Sequence, residues 1–74
     1  NVTLYTRKGC HLCDVALETL ANFGIEPRIV DIDQDESLRD QFNECVPVVE
    51  IDGKVRFRGQ VPPVLLERLL ESRN

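Results

Sequence analysis

Cys10 and Cys13 enclose the dipeptide His11-Leu12, and a third cysteine, Cys45, stands just before Val46-Pro47. A Cys-x-x-Cys spacing serves thiol-disulfide exchange or supplies half of a metal site. For exchange, one sulfur must be a thiolate and the other must reach it. A cysteine at the first turn of a helix meets both needs, because unpaired backbone N–H groups and the helix dipole favour the anion. Cys10 is therefore the expected nucleophile, with Arg7, Lys8 and a protonatable His11 adding charge of the helpful sign. Cys13, one turn further in, comes onto nearly the same face and can reach the Cys10 sulfur, so it is the expected resolving thiol. Asp14 suits the first turn of a helix but opposes thiolate formation nearby.

The elements around these residues must place them so. Val2-Thr3-Leu4-Tyr5-Thr6 alternates and is rich in β-branched and aromatic types, which reads as a strand ending at Arg7-Lys8-Gly9. Leu12, Ala16, Leu20 and Phe23 recur at helical spacing, Val15 and Leu17 broaden the stripe, and Gly24 stops the helix. Glu26 to Ile32 reads as a second strand, parallel to the first because a helix connects them. Asp33 with Glu36 has the form of an N-cap and its partner, opening a helix over roughly 35 to 43 with Leu38 and Phe42 as its apolar stripe. Val48 to Ile51, Asp52-Gly53-Lys54 and Val55 to Arg58 form a hairpin about a tight primed turn. After Gly59, Pro62 and Pro63 suit the opening turn of a last helix, with Leu65, Leu66, Leu69 and Leu70 as its buried face.

The order of these elements is βαβαββα. The expected architecture is α/β, a mixed four-stranded sheet with helices on both faces, which is the minimal thioredoxin-like fold. Seventy-four residues hold one such domain, spanning 1–74, and a composition of 42% hydrophobic and 30% charged residues is that of a folded globular chain. A net charge of −4 has the wrong sign for binding nucleic acid through its phosphates. No apolar run approaches the roughly 20 residues a membrane span needs, so neither nucleic acid nor membrane is an expected partner. An odd cysteine count with a Cys-x-x-Cys pair favours a reducing compartment, the cytoplasm, and a monomer is expected.

The run from Val2 through Arg7-Lys8-Gly9-Cys10-His11-Leu12-Cys13 to Asp14 resembles the opening of glutaredoxin-like proteins, and Val46-Pro47-Val48-Val49 resembles their cis-proline segment. The His-Leu spacer is similar to that of a small glutaredoxin-like family, and the resemblance covers essentially the whole chain. It implies a thioredoxin-like fold, Cys10 as nucleophile, Cys13 as resolver and a cis peptide at Pro47. Val46, just before Pro47, is itself expected to offer free backbone groups to an extended substrate segment, as in strand addition to an edge. Arg7 stands where glutaredoxins usually carry Lys, so Arg7, His11, Leu12, Val46 and Pro47 are the expected substrate-binding residues.

The sequence also departs from that family. Its common spacer is Pro-Tyr, and its Gly-Gly followed by Cys-Asp-Asp is replaced here by Arg58-Gly59-Gln60-Val61-Pro62-Pro63. No bound cofactor is expected, and two electron sources stay open: glutathione, or a thioredoxin-reductase-type donor as used by redoxins of similar length. The expected function is thiol-disulfide exchange with a disulfide-bearing protein or small thiol. Two other readings use the same residues. One is a metal- or cluster-binding module built on Cys10, Cys13, Cys45 and His11, although ligation by adjacent Cys10 and His11 is strained and no metal is assigned. The other is a redox-silent interaction domain that reads partners along Val46. Cys45 is a half-buried small residue or a third thiol.

Overall fold

The structure, a computed structural model, describes residues 1–72. Strand β1 (Val2–Thr6) leads into helix α1 (His11–Asn22), then strand β2 (Arg28–Asp31) and a short 3₁₀ turn (Ile32–Gln34). Helix α2 (Glu36–Phe42), strands β3 (Val48–Ile51) and β4 (Lys54–Arg58), and helix α3 (Pro63–Ser72) follow. The four strands form one sheet in the order β2-β1-β3-β4. Strand β1 runs parallel to β2 and antiparallel to β3, and β3 runs antiparallel to β4. This is the α/β architecture that the order of sequence signals implies.

Period-two alternation divides the sheet between two cores. Leu4, Val49 and Ile51 pack with Ala16 and Leu20 of α1 and Leu66 of α3 on one face. Val48, with Tyr5 and Val55 half-buried, packs with Phe42 of α2 and Ile32 on the other. A bulge lets β4 serve both cores. Val49 pairs with Phe57 but the next residue, Glu50, pairs with Val55, so Arg56 is the extra residue. As a result Phe57 joins the first core and Val55 the second, although they lie two positions apart. The hairpin turns on Asp52 and Gly53, both with positive φ (51° and 85°), the primed geometry that suits the strand twist.

Helix α1 ends in a Schellman motif. The Gly24 N–H donates to the Ala21 carbonyl at 2.9 Å and the Ile25 N–H to the Leu20 carbonyl at 3.0 Å, with Gly24 at φ 74°. Ile25 then packs into the same core as Leu20.

Several boundaries differ from the sequence reading. Strand β2 is shorter than 26–32, because the Asp31 side chain accepts from the Asp33 N–H at 2.9 Å and turns the chain into the 3₁₀ segment. Helix α2 is capped by Asp35, not Asp33: its carboxylate accepts from the N–H groups of Ser37 (2.9 Å) and Leu38 (3.2 Å). Asp33 is engaged elsewhere, as shown below. Lys54 belongs to β4 and not to the turn. The buried stripe of α1 is Cys13, Ala16 and Leu20, while Leu12 and Val15 are 47% and 44% exposed. Cys13 takes the core position one turn before Ala16, which rotates Leu12 outward. In α3, Leu66 is buried but Leu65 lies on the exposed side.

Candidate functional site

The antiparallel register of β1 and β3, with Tyr5 opposite Val48, brings two loops to one end of the sheet. One follows β1 and carries Arg7 to Cys10. The other precedes β3 and carries Cys45, Val46 and Pro47. The sequence-expected residues thus come from the chain's two halves and lie in two loops placed at the same end of the sheet by a single strand pairing, although Val46 and Pro47 do not line the cavity that holds Cys10 and Cys13.

Cys10 is the N-cap residue of α1, extended at φ −87° and ψ 101°. Its own N–H donates to the Arg7 carbonyl at 3.3 Å, which fixes the approach of the loop. Its sulfur accepts from the Cys13 N–H at 3.1 Å, and its carbonyl accepts from the N–H groups of Cys13 (3.2 Å) and Asp14 (3.3 Å). Of the orphan donors of the first helical turn, the Cys13 N–H is thus the one satisfied by Cys10, while the Asp14 N–H closes the first regular helical bond. Cys10 and Cys13 are joined in a disulfide, with Cα atoms 5.2 Å apart. Cys10 is half-buried and Cys13 is buried, so the two sulfurs differ in access. A cavity of about 280 Å³ is bounded by both cysteines together with Arg7, Lys8 and Asp14.

The Val46-Pro47 peptide bond is cis, and Pro47 is buried. The Gly59 N–H holds this loop from the far side, donating to both the Cys45 carbonyl (3.0 Å) and the Pro47 carbonyl (2.8 Å). Gly59 does so at φ 80°, a conformation that glycine adopts without a side-chain penalty. Among the described residues the intervening N–H and C=O of Val46 take part in no hydrogen bond.

Arg7 does not stand free beside the cysteines. Its guanidinium forms a two-pronged pair with Asp33, Nε to Oδ2 at 2.9 Å and Nη2 to Oδ1 at 2.7 Å, and Nη1 donates to the Asn43 carbonyl at 2.9 Å. That hydrogen bond holds the Asp33 carboxyl below its ordinary range. Neither Asp33 nor Asn43 carries a local sequence signal for this contact, since both lie far from Arg7 in the chain.

His11 is exposed on the first turn of α1. Leu12, also exposed, helps to line a groove of about 310 Å³ between α1 and the segment from Gly59 to Pro63. The walls are Leu12, Val15, Ala16 and Thr19 on one side and Gly59 to Pro63 on the other, without an ionisable group. Cys45 is a free, half-buried thiol that packs against the α2 core of Ile32, Phe42 and Val48, and it does not line the cavity that holds Cys10 and Cys13. Among the described residues no three His, Cys, Asp or Glu side chains converge as a ligand set for a metal ion. No helix of the described residues is long and apolar enough to cross a membrane.

Comparison with known proteins places this geometry. The family described as Glutaredoxin-like domain (DUF836) matches residues 1–71. A curated relative, "Glutaredoxin-like protein YDR286C homolog" of Dictyostelium discoideum, is 31% identical over 71 residues, covering 82% of this chain and 66% of that protein. The chain thus spans just under two thirds of that relative's length. Among solved structures, protein XcR50 of X. campestris superposes with a TM-score of 0.85 at 32% identity over 97% of both chains. The "glutaredoxin-like protein NrdH-redoxin" of Escherichia coli, described as having a "thioredoxin-like activity profile", superposes with a TM-score of 0.69 at 26% identity over 92% of both chains. The fold is thioredoxin-like.

Proposed function

The chain belongs to the glutaredoxin-like domain family (DUF836), and on that premise we propose that it is a dithiol oxidoreductase that reduces disulfides in partner proteins. The observation that carries this reading is the capped cysteine: the Cys13 N–H points at the Cys10 sulfur 3.1 Å away, at the positive end of α1. That arrangement favours a thiolate at Cys10.

The reaction has two steps. In the reduced protein, the Cys10 thiolate attacks one sulfur of the partner's disulfide; a Cys10–partner bond forms, the partner's S–S bond breaks, and the departing thiolate takes up a proton. Cys13 then loses its proton and attacks the Cys10 sulfur. The Cys10–Cys13 bond forms, the mixed disulfide breaks, and the partner leaves with both sulfurs reduced. Two electrons have passed to the partner, and the protein is left as the intramolecular disulfide. Reduction of that disulfide needs an external thiol, either glutathione or a reductase of the thioredoxin-reductase type. No bound cofactor takes part.

The substrate is a polypeptide in this reading because, among the described residues, the N–H and C=O of Val46 take part in no hydrogen bond, and these are the pairing groups an extended strand requires. The uncharged groove beside Leu12 favours apolar residues next to the partner's cysteine.

The test is a coupled reduction of insulin disulfides. Cys10→Ser should abolish turnover, and Cys13→Ser should accumulate a mixed disulfide at Cys10 that is visible by mass spectrometry. Full activity in Cys10→Ser sinks the assignment.

A further inference from the structure

The proposed site consists of two loops that are far apart in sequence, and one side chain ties them together. The Arg7 backbone carbonyl accepts the Cys10 N–H at 3.3 Å, so Arg7 belongs to the cysteine loop. Its guanidinium reaches across to the Asn43 carbonyl at 2.9 Å. Asn43 is the C-cap of α2, and the chain runs from it through Glu44 and Cys45 to Val46 and Pro47. A carbonyl at a helix C-terminus lacks an intrahelical partner, and a cation there also matches the dipole. Two other nitrogens of the same guanidinium, Nε and Nη2, are fixed by Asp33, in the 3₁₀ turn that precedes the N-terminus of α2.

We propose that Arg7 is a positioning residue: clamped by Asp33, it holds the Asn43 carbonyl and thereby sets the placement of the Val46 peptide group relative to Cys10. This deepens the oxidoreductase reading and rests on it. The placement gives Arg7 a different task from the one its sequence neighbourhood suggests, which is to attract the thiolate or the substrate directly. Its fork donors are engaged with a carboxylate of opposite charge, so its field at the cysteines is largely offset. Geometry also explains the choice of residue. Arginine supplies a planar fork that binds a carboxylate with two parallel bonds and still has a donor for the carbonyl, and lysine cannot do both.

The two roles give opposite results for Asp33. If Arg7 positions the loop, Arg7→Gln and Asp33→Asn act in the same direction, because each dismantles the clamp. If Arg7 acts on the sulfur directly, Asp33→Asn releases the cation and strengthens its effect.

Three readouts follow on the full chain: the KM for insulin disulfides, the pH midpoint of Cys10 alkylation by iodoacetamide in the reduced protein, and amide exchange at Cys45 and Gly59. The clamp predicts that Arg7→Gln and Asp33→Asn each raise KM by about three- to tenfold, the worth of one lost hydrogen bond. Both variants should speed exchange at Cys45 and Gly59, leave the alkylation midpoint at the wild-type value, and Arg7→Lys should recover only part of the KM. A midpoint that rises in Arg7→Gln and falls in Asp33→Asn would overturn the proposal in favour of direct electrostatics. Unchanged KM and unchanged exchange in both variants would also overturn it. Should the wild type fail to reduce insulin, the oxidoreductase reading falls by itself, and amide exchange still decides the clamp. Should Arg7→Gln fail to fold, the isosteric Asp33→Asn carries the comparison.

Discussion

The backbone N–H of Cys13 lies 3.1 Å from the sulfur of Cys10, a hydrogen bond from the third residue of α1 to its cap. In an ordinary cap that acceptor is an oxygen, and its removal costs about 0.5–2 kcal/mol. The acceptor here is a disulfide sulfur; in the oxidoreductase reading the same bond strengthens when the reduced thiol ionises, so that helix capping and thiolate activation become one interaction.

Ionisation of Cys10 is the first expected outcome. Its alkylation in the fully reduced protein should show an apparent pKa well below the free-thiol value of about 8.5, within the range of roughly 3.5–7.5 found at helix N-termini. Cys45, packed against the α2 core, should react slowly throughout. Peptide-resolved mass spectrometry across pH measures all three cysteines at once, and a Cys10 midpoint at the free-thiol value contradicts the capping argument.

Leu12 separates binding from stability. It is 47% exposed and touches the groove, so Leu12→Asp should change the unfolding free energy by no more than about 0.5 kcal/mol. The same substitution places a charge in an uncharged groove and should lower kcat/KM for insulin disulfides. A large loss of stability in a urea titration contradicts the exposed placement of this residue.

Gly59 tests the clamp on the Val46 loop from the β4 side. A Cβ added at Gly59 meets no atom within 4 Å, so Gly59→Ala carries no steric clash. What it carries is the left-handed backbone at φ 80°, a cost of about 1–2 kcal/mol. A denaturation midpoint that falls by the corresponding amount, with an unchanged slope, is the expected result; a neutral substitution means that the loop relaxes and the two hydrogen bonds from Gly59 are not maintained.

Asp33 gives an acid-side signature. Its folded-state pKa lies below the ordinary value because of the hydrogen bond from Arg7. A carboxyl lowered on folding binds fewer protons in the native state, so its stabilisation is present above the ordinary carboxylate range, near pH 4, and is lost as pH falls through the lower folded value. Asp33→Asn should therefore flatten the fall in stability below about pH 4. The pair is partly solvated, with side chains 30% and 37% exposed, so the effect is small and is best read as a difference between the two proteins at low salt.

The sequence made the fold legible because each element carries its own local signal. Alternation marks Val2–Thr6, Gly24 closes α1, and Asp52-Gly53 fixes the hairpin, all within a few residues of the structure they specify. The cysteine pair was legible for the same reason, since Cys10 and Cys13 need only one helical turn. Sequence reasoning failed where the decisive contact is long-range. Asp33 looked like a cap for α2, but a guanidinium 26 positions away holds it, and Asp35 caps the helix instead. Leu12 and Val15 fit the apolar stripe of α1, yet the small Cys13 occupies the core in their place and leaves them to line a groove. Periodicity identifies a helix face but cannot say which of two adjacent stripes is turned inward when a cysteine counts as apolar.

Phe42 joins the fold to the site most directly. It is 2% exposed, its ring centroid lies 5.0 Å from that of Tyr5, and the Arg58 guanidinium sits 5.9 Å from its centroid. It is also the last residue of α2, immediately before Asn43, so its packing holds down the helix end from which the Val46-Pro47 loop departs. Phe42→Ala should cost about 3–5 kcal/mol, a large part of the 5–15 kcal/mol that stabilises a typical domain, and should leave the protein marginally folded. Phe42→Leu keeps most of the apolar volume and should cost less, with the fold intact. The small α2 core rests on few side chains, so even this milder change should loosen the loop before it affects α1. The Phe42→Leu protein should then show a higher KM for insulin while its Cys10 alkylation midpoint stays at the wild-type value. If the midpoint moves and KM does not, α2 governs the thiolate and not the substrate segment, and the two loops divide the labour the other way round.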